Sequence, residues 1–125
     1  MGLTFVEMDV MNPGDLTRPE RLTLLQSGAL YTIAPGDVLA RLGVTPHRTQ
    51  TFRPADGRLV ERTRGGAPFR YQGRMGFADI VFGEDGDANL LGVMTLEALG
   101  LSVDPLTREL VELPAIMGGG QRAQR

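Results

Sequence analysis

The apolar positions of this chain fall into short runs broken every few residues by glycine, proline, asparagine or aspartate. Leu3 to Met11 alternate loosely and are rich in valine, phenylalanine and threonine, which predicts a strand. Asn12-Pro13-Gly14-Asp15 then reads as a turn, since proline presets φ and glycine supplies the left-handed option. Arg21 to Gln26 is a second strand, apolar on both faces and so buried. Thr49 to Pro54, Arg58 to Arg64, Ala67 to Gln72 and Arg74 to Phe82 read as four more. Asp56-Gly57 marks a tight type I′ hairpin turn among them, and Gln72-Gly73 a weaker one. Leu101 to Asp104 and Glu109 to Leu113 close the series around Pro105 to Arg108.

Two segments break the strand rhythm. Leu39-Ala-Arg-Leu-Gly-Val44 and Leu96-Glu-Ala-Leu-Gly-Leu101 each place two leucines three apart on one helix face. Each ends at a glycine suited to a left-handed helix stop, Gly43 and Gly100. The shared formula suggests a weak internal repeat. Short strands, many turns and two small helices predict a mainly β fold, closed or sandwiched, rather than a βαβ sheet.

The 125 residues make one domain, long enough to bury a core without staples. Apolar residues make up 42% and charged residues 22%, ordinary values for a globular protein. The net charge of -2 argues against a nucleic acid or an anionic membrane surface as partner. All 13 basic residues are arginine, which reads as codon bias rather than chemistry. Without cysteine there is neither a disulfide frame nor a thiol nucleophile. No apolar run approaches the roughly 18 residues of a membrane helix, and no basic-then-apolar leader opens the chain, so the expected location is cytoplasmic. The tail, 118–125, has no apolar anchor and is expected to be disordered, leaving 1–117 as the domain.

The candidate chemistry lies in Leu22-Thr-Leu-Leu-Gln-Ser-Gly-Ala29, an apolar strand running into Ser27-Gly28-Ala29. Leu30-Tyr31-Thr32-Ile33-Ala34-Pro35 follows, then a short helix ending at Gly43 and a hairpin tipped by Ala55-Asp56-Gly57. Asn89-Leu90-Leu91-Gly92 leads into a helix over Thr95 to Leu99, and Val103-Asp104-Pro105 comes after it. In this order, from about Leu3 to Leu113, the chain resembles the retropepsin-like (retroviral-type) aspartic proteases, particularly their bacterial single-domain members. The resemblance implies a closed β-barrel or sandwich with two short helices and an active-site cleft at a homodimer interface. It makes Gln26-Ser27-Gly28-Ala29 the catalytic loop and Ala55-Asp56-Gly57 the tip of the flap over an extended polypeptide. In the family, one aspartate from each chain meets at the two-fold axis, and the pair shares a proton between base and acid roles.

Gln26 stands where that aspartate belongs. An amide has no proton to lose near neutral pH and cannot act as general base. No other Asp-Ser/Thr-Gly occurs to replace it. The expectation is therefore a peptidase scaffold, inactive as written, that binds polypeptide. Two alternatives stay open: a natural aspartic endopeptidase carrying an introduced inactivating substitution, and a non-enzymatic β interaction module.

Other chemistry is weaker. Asp85-Gly86-Asp87-Ala88-Asn89 spaces its oxygens like a calcium loop, but Leu90 and Leu96 stand where that loop needs glycine and glutamate, so a solvated turn is expected. His47 is the single histidine, too little for a transition-metal site or a Ser-His-Asp triad. Gly65-Gly66 is not a phosphate loop, since the required lysine is missing. Arg53 and Arg58 flank the flap and are read as keeping an exposed edge soluble. No cofactor or metal is expected.

Overall fold

The computed structural model describes residues 3–54 and 56–113. The last residues of the expected domain, 114–117, the expected tail, 118–125, and Ala55 lie outside them. The element order is β1 Phe5–Asn12, β2 Asp15–Gln26, β3 Thr32–Pro35, α1 Gly36–Leu42, β4 Pro46–Phe52, β5 Val60–Tyr71, β6 Arg74–Gly83, β7 Leu90–Leu91, α2 Val93–Ala98, β8 Leu101–Val103 and β9 Leu110–Glu112. Strands dominate, as expected, and two short helices accompany them.

Seven strands form one mixed sheet in the order β1-β2-β7-β3-β6-β5-β4, and β8 pairs with β9 apart from it. β1 also pairs with β5, through Asp9↔Arg70 and Val10↔Phe69, so the ladder closes on itself and β4 lies outside the ring. Most pairs are antiparallel; β2–β7 and β3–β6 are parallel. Alternation sends Val6, Met8 and Val10 of β1 and Leu22 and Leu24 of β2 inward, to meet Phe69, Ile80 and Phe82. Leu39 and Leu42 of α1, and Leu96 and Leu99 of α2, cover the same core. On the outer side, Asp9 clasps Arg21 at 2.7 Å and Arg70 at 2.8 Å, tying β1 to both neighbours. Burial pushes the Asp9 carboxyl up, but the hydrogen bonds from Arg70 and Arg21 outweigh it and hold the pKa below the usual carboxylate range.

The structure corrects several sequence expectations. The strands expected over Arg58–Arg64 and Ala67–Gln72 are one strand, β5, running through Gly65-Gly66. A Cβ at Gly65 would lie 2.6 Å from the Thr45 carbonyl oxygen, and one at Gly66 would lie 2.7 Å from the Phe77 ring. These glycines make room for neighbours instead of ending the strand. β2 starts at Asp15, not Arg21, because its exposed first half pairs back on β1. The type I′ turn is at Gln72-Gly73, where φ is 47° and 80°. Asp56-Gly57 is not a two-residue hairpin turn: β4 ends at Phe52 and β5 begins only at Val60, and of the pair only Gly57 has a positive φ. Both helices begin about one turn earlier than their leucines suggest, and Gly43 and Gly100 do adopt left-handed φ.

Candidate functional site

Two segments far apart in sequence meet at the end of β2. β7 lies parallel to β2, with Leu25↔Leu90 and Gln26↔Leu91, and antiparallel to β3 through Ile33↔Leu90. The loop from Ser27 to Tyr31 therefore joins two strands that a third holds apart. Its carbonyls serve α2: Val93 N–H donates to Ala29 O at 2.8 Å and Met94 N–H to Leu30 O at 3.0 Å. Those amides are donors that the first turn of a helix leaves without intrahelical partners, and no side chain caps α2.

Beneath the loop the packing is rigid and polar. Gly92 N–H donates to Thr32 Oγ1 at 2.9 Å, and Thr32 Oγ1 lies 2.6 Å from Thr95 Oγ1, with both threonines fully buried. Each buried hydroxyl is thereby satisfied. A Cβ on Gly92 would sit 2.2 Å from the Tyr31 carbonyl carbon and 2.3 Å from Thr32 N. Only glycine lets these two backbones approach so closely.

Gln26, Ser27 and Gly28 line a cavity of about 370 Å³ with α2, β8 and Arg108. Gly28 has φ +81°, and Ser27 Oγ accepts from Ala29 N–H at 3.3 Å, so the hydroxyl shapes the turn. The Gln26 amide is turned inward: Nε2 donates to Arg108 O at 3.3 Å, while Oε1 is buried with no partner. Arg108 holds φ +66° in the turn between β8 and β9. The loop itself offers no general base. The sequence did not single out Glu97, which brings a carboxylate to this cavity from α2.

No protein-family model matches the chain, and no curated protein matches it.

A larger and more apolar cavity, about 550 Å³, opens on the other side of the loop, between Ala29–Ile33 and the β4–β5 hairpin. The Tyr31 ring meets Phe52 of β4 edge to face, with centroids 6.1 Å apart. The buried Arg64 guanidinium stacks 4.7 Å over the same ring, donates to Tyr31 Oη at 2.7 Å and touches the Gln50 amide. Its Nε is 3.0 Å from Asp79 Oδ2, an ion pair whose N–H is not aimed along the contact. Arg62 lines the cavity, held by Asp87 through Nε at 2.7 Å and Nη2 at 2.9 Å. The hydrogen bond from Arg62 chiefly, with the Glu84 N–H, holds the Asp87 carboxyl below the usual range, outweighing burial. Asp87, expected in a solvated turn, thus anchors that turn to β5. Arg62, Arg64 and Gln50 were missed as site residues. The available signal was two arginines two apart on one strand, and so on one face.

The expected flap tip closes on itself. Gly57 N–H donates to Pro54 O at 2.9 Å, Asp56 takes Arg58 N–H at 3.0 Å and Arg58 Nε at 2.9 Å, and Arg53 reaches Gly57 O at 3.2 Å. Arg53 and Pro54 line the larger cavity with Ala29. Asp56 and Gly57 are exposed. His47 is exposed too, and the described residues hold no cluster able to bind a metal ion. No described helix is long and apolar enough to cross a membrane.

Proposed function

We propose that this chain is a retropepsin-like domain that works as a homodimer, binds an extended polypeptide in a cleft beside the Gln26–Ala29 loop, and has little or no peptidase activity. The observation that carries the reading is the pairing of Leu25-Gln26 with Leu90-Leu91. Two pieces of the resemblance more than 60 residues apart in the chain become adjacent strands, with Gln26 at their end. The apolar cavity between the loop and the hairpin suits the side chains of an extended peptide, which strand addition would hold by its backbone. Leu30, Val93 and Met94 leave apolar surface exposed around the loop, which a second copy would cover.

Inactivity follows from Gln26. The Arg108 carbonyl that accepts from its Nε2 would repel a carboxylate, and aspartate is a methylene too short to reach the same point. Without that contact, an aspartate at residue 26 would be free to turn toward a partner chain.

The test is cleavage of a mixed peptide library from about pH 4 to 7, the range over which a carboxylate dyad shares a proton, for this chain beside Gln26→Asp. Cleavage by the variant alone is expected. Sedimentation should show both proteins dimeric, with the variant dissociating more readily at neutral pH, where two close carboxylates repel. Silence from both together with monomers alone would overturn the proposal in favour of a β interaction module.

A further inference from the structure

A third cavity, of about 310 Å³, opens on the β5–β6 pair and is lined by Pro13, Thr45, His47, Gly66, Phe77 and Asp79. It shares no lining residue with the two cavities beside the Gln26 loop. Arg64 stands between it and the larger of those, with Nη1 on Tyr31 and Nε facing Asp79. Its floor is Gly66, opposite Asp79 in the ladder. The point a Cβ on Gly66 would occupy lies 2.7 Å from Phe77 Cε1 and 3.8 Å from Asp79 Oδ1. The missing side chain therefore leaves an aromatic ring and a carboxylate oxygen flanking one spot. Phe77 is 62% exposed there. Asp79 Oδ2 lies 3.0 Å from Arg64 Nε, but that N–H is not aimed at it, so the contact is an ion pair without a hydrogen bond. The opposite wall is shaped by a break in register: Pro46 faces Gly65 and Arg48 faces Arg64, which leaves His47 unpaired in the ladder. Such bulges re-aim a side chain. Asn12 Nδ2 donates to Leu42 O at 2.7 Å and pins the turn that carries Pro13 to the end of α1.

Charge narrows the ligand. The Asp79 carboxylate repels an anion, and Arg64 beside it already offsets its attraction for a cation. What remains is a neutral ligand that brings its own hydrogen-bond donors. We propose that this cavity binds a neutral pyranose sugar, with the apolar C–H face of the ring on Phe77 and its hydroxyls on Asp79, His47 and Thr45. A hydroxyl both donates and accepts, which suits a carboxylate that only accepts and an imidazole and a threonine that do either. An apolar platform ringed by a few polar groups is the common construction of a small-molecule site. A planar base would also stack on Phe77, but its donors and acceptors lie in one plane at its edge. Here the polar groups come from three separate elements, Asp79 from β6, His47 from β4 and Thr45 from the loop before β4.

The experiment titrates the isotope-labelled full chain with the methyl glycosides of glucose, galactose, mannose and xylose, reading amide chemical shifts by NMR. Saturable shifts confined to Thr45, His47, Gly66, Phe77 and Asp79 are expected with at least one of them, at a Kd on the order of 1 mM. Phe77→Leu keeps an apolar side chain but removes the flat face, and should weaken binding about tenfold. Phe77 is largely exposed, so the remaining amide shifts should show the fold of the variant unchanged. Agmatine and adenosine are titrated alongside as the cationic and the planar alternatives. The proposal is overturned by absence of saturable shifts with every glycoside, by equal binding of agmatine or adenosine, by undiminished binding to Phe77→Leu, or by shifts over Gly28 to Tyr31 instead. None of these outcomes alters the cleavage and sedimentation results that test the cleft, so the two readings fail separately.

Discussion

The two walls of the larger cavity are built in opposite ways. On the loop side, Thr32, Gly92 and Thr95 are buried and bonded to one another across 60 or more residues of chain. On the hairpin side, the contacts at the tip are exposed and join residues only two to four apart, Arg58 with Asp56 and Arg53 with Gly57. Long-range buried contacts are lost only when the whole fold is lost; short-range exposed ones open locally at small cost. The difference teaches that the loop carrying Gln26 is a fixed wall, and that any opening of this cavity belongs to the hairpin.

The sharpest way to break the comparison is to give each wall the same extra methyl. Gly92 has an ordinary φ of -92°, so its constraint is space: a Cβ would strike the Tyr31 and Thr32 backbones, which have no flexible end to move. Gly92→Ala must push β7 off β3 and should cost about 3 kcal/mol or more in urea unfolding. Gly57 has φ +88° and open space for 4 Å around the point a Cβ would occupy, so Gly57→Ala should cost only the left-handed penalty, about 1 kcal/mol. Equal losses would show the two walls to be one unit. Next in size is Thr32→Val, which strands both the Gly92 N–H and the Thr95 hydroxyl and should cost about 2 kcal/mol. Thr95→Val leaves the Gly92–Thr32 bond in place and should cost about half as much.

How far this division was legible in the sequence depends on what made each part. The loose apolar alternation of β1 and the left-handed stops at Gly43 and Gly100 are local signals, and they were readable. Thr32, Gly92 and Thr95 gave no local signal, because their meaning lies in contacts across the chain. β7 is two residues long, too short for any period to register. Gly65-Gly66 misled because a glycine pair punctuates a sequence whether it ends a strand or admits a neighbour; the Thr45 carbonyl and Phe77 ring decide which. The turn at Asp56-Gly57 followed composition correctly as a reversal, but the count of residues between strands was set by the ladder of β4 on β5. Gln26 itself was conspicuous only through the resemblance, and its bond to Arg108 O was invisible beforehand.

Acid separates the walls by a different route. Asp87 fastens the turn beside the cavity to Arg62 of β5, and its carboxyl titrates below the ordinary value of 3.8. A group whose folded pKa is depressed stabilises fully above its unfolded value, and that contribution fades as pH falls through the folded one. Asp9, held low by Arg70 and Arg21, behaves the same way at the β1–β5 closure. Stability should therefore be level between about pH 5 and 7 and fall below the ordinary carboxylate value. Asp87→Asn should reduce the acid-dependent part of that fall. An unchanged acid limb in Asp87→Asn would remove the Arg62–Asp87 pair from the account.

The smallest expected effect is the most informative about the hairpin. Asp56 accepts from the Arg58 backbone and pairs with its side chain, but both side chains are largely exposed, at 52% and 74%. Exposed pairs of this kind contribute little to global stability. Asp56→Ala should leave the unfolding midpoint unchanged while speeding hydrogen exchange at the Arg58 amide, which loses its acceptor. The Gly92 amide, bonded to buried Thr32, should exchange at its original rate. A slowdown or no change at Arg58 would mean that the hairpin is held by something other than its own tip. Faster exchange at Gly92 would mean that the tip is coupled to the buried threonines, and the distinction between a fixed wall and an opening one would have to be given up.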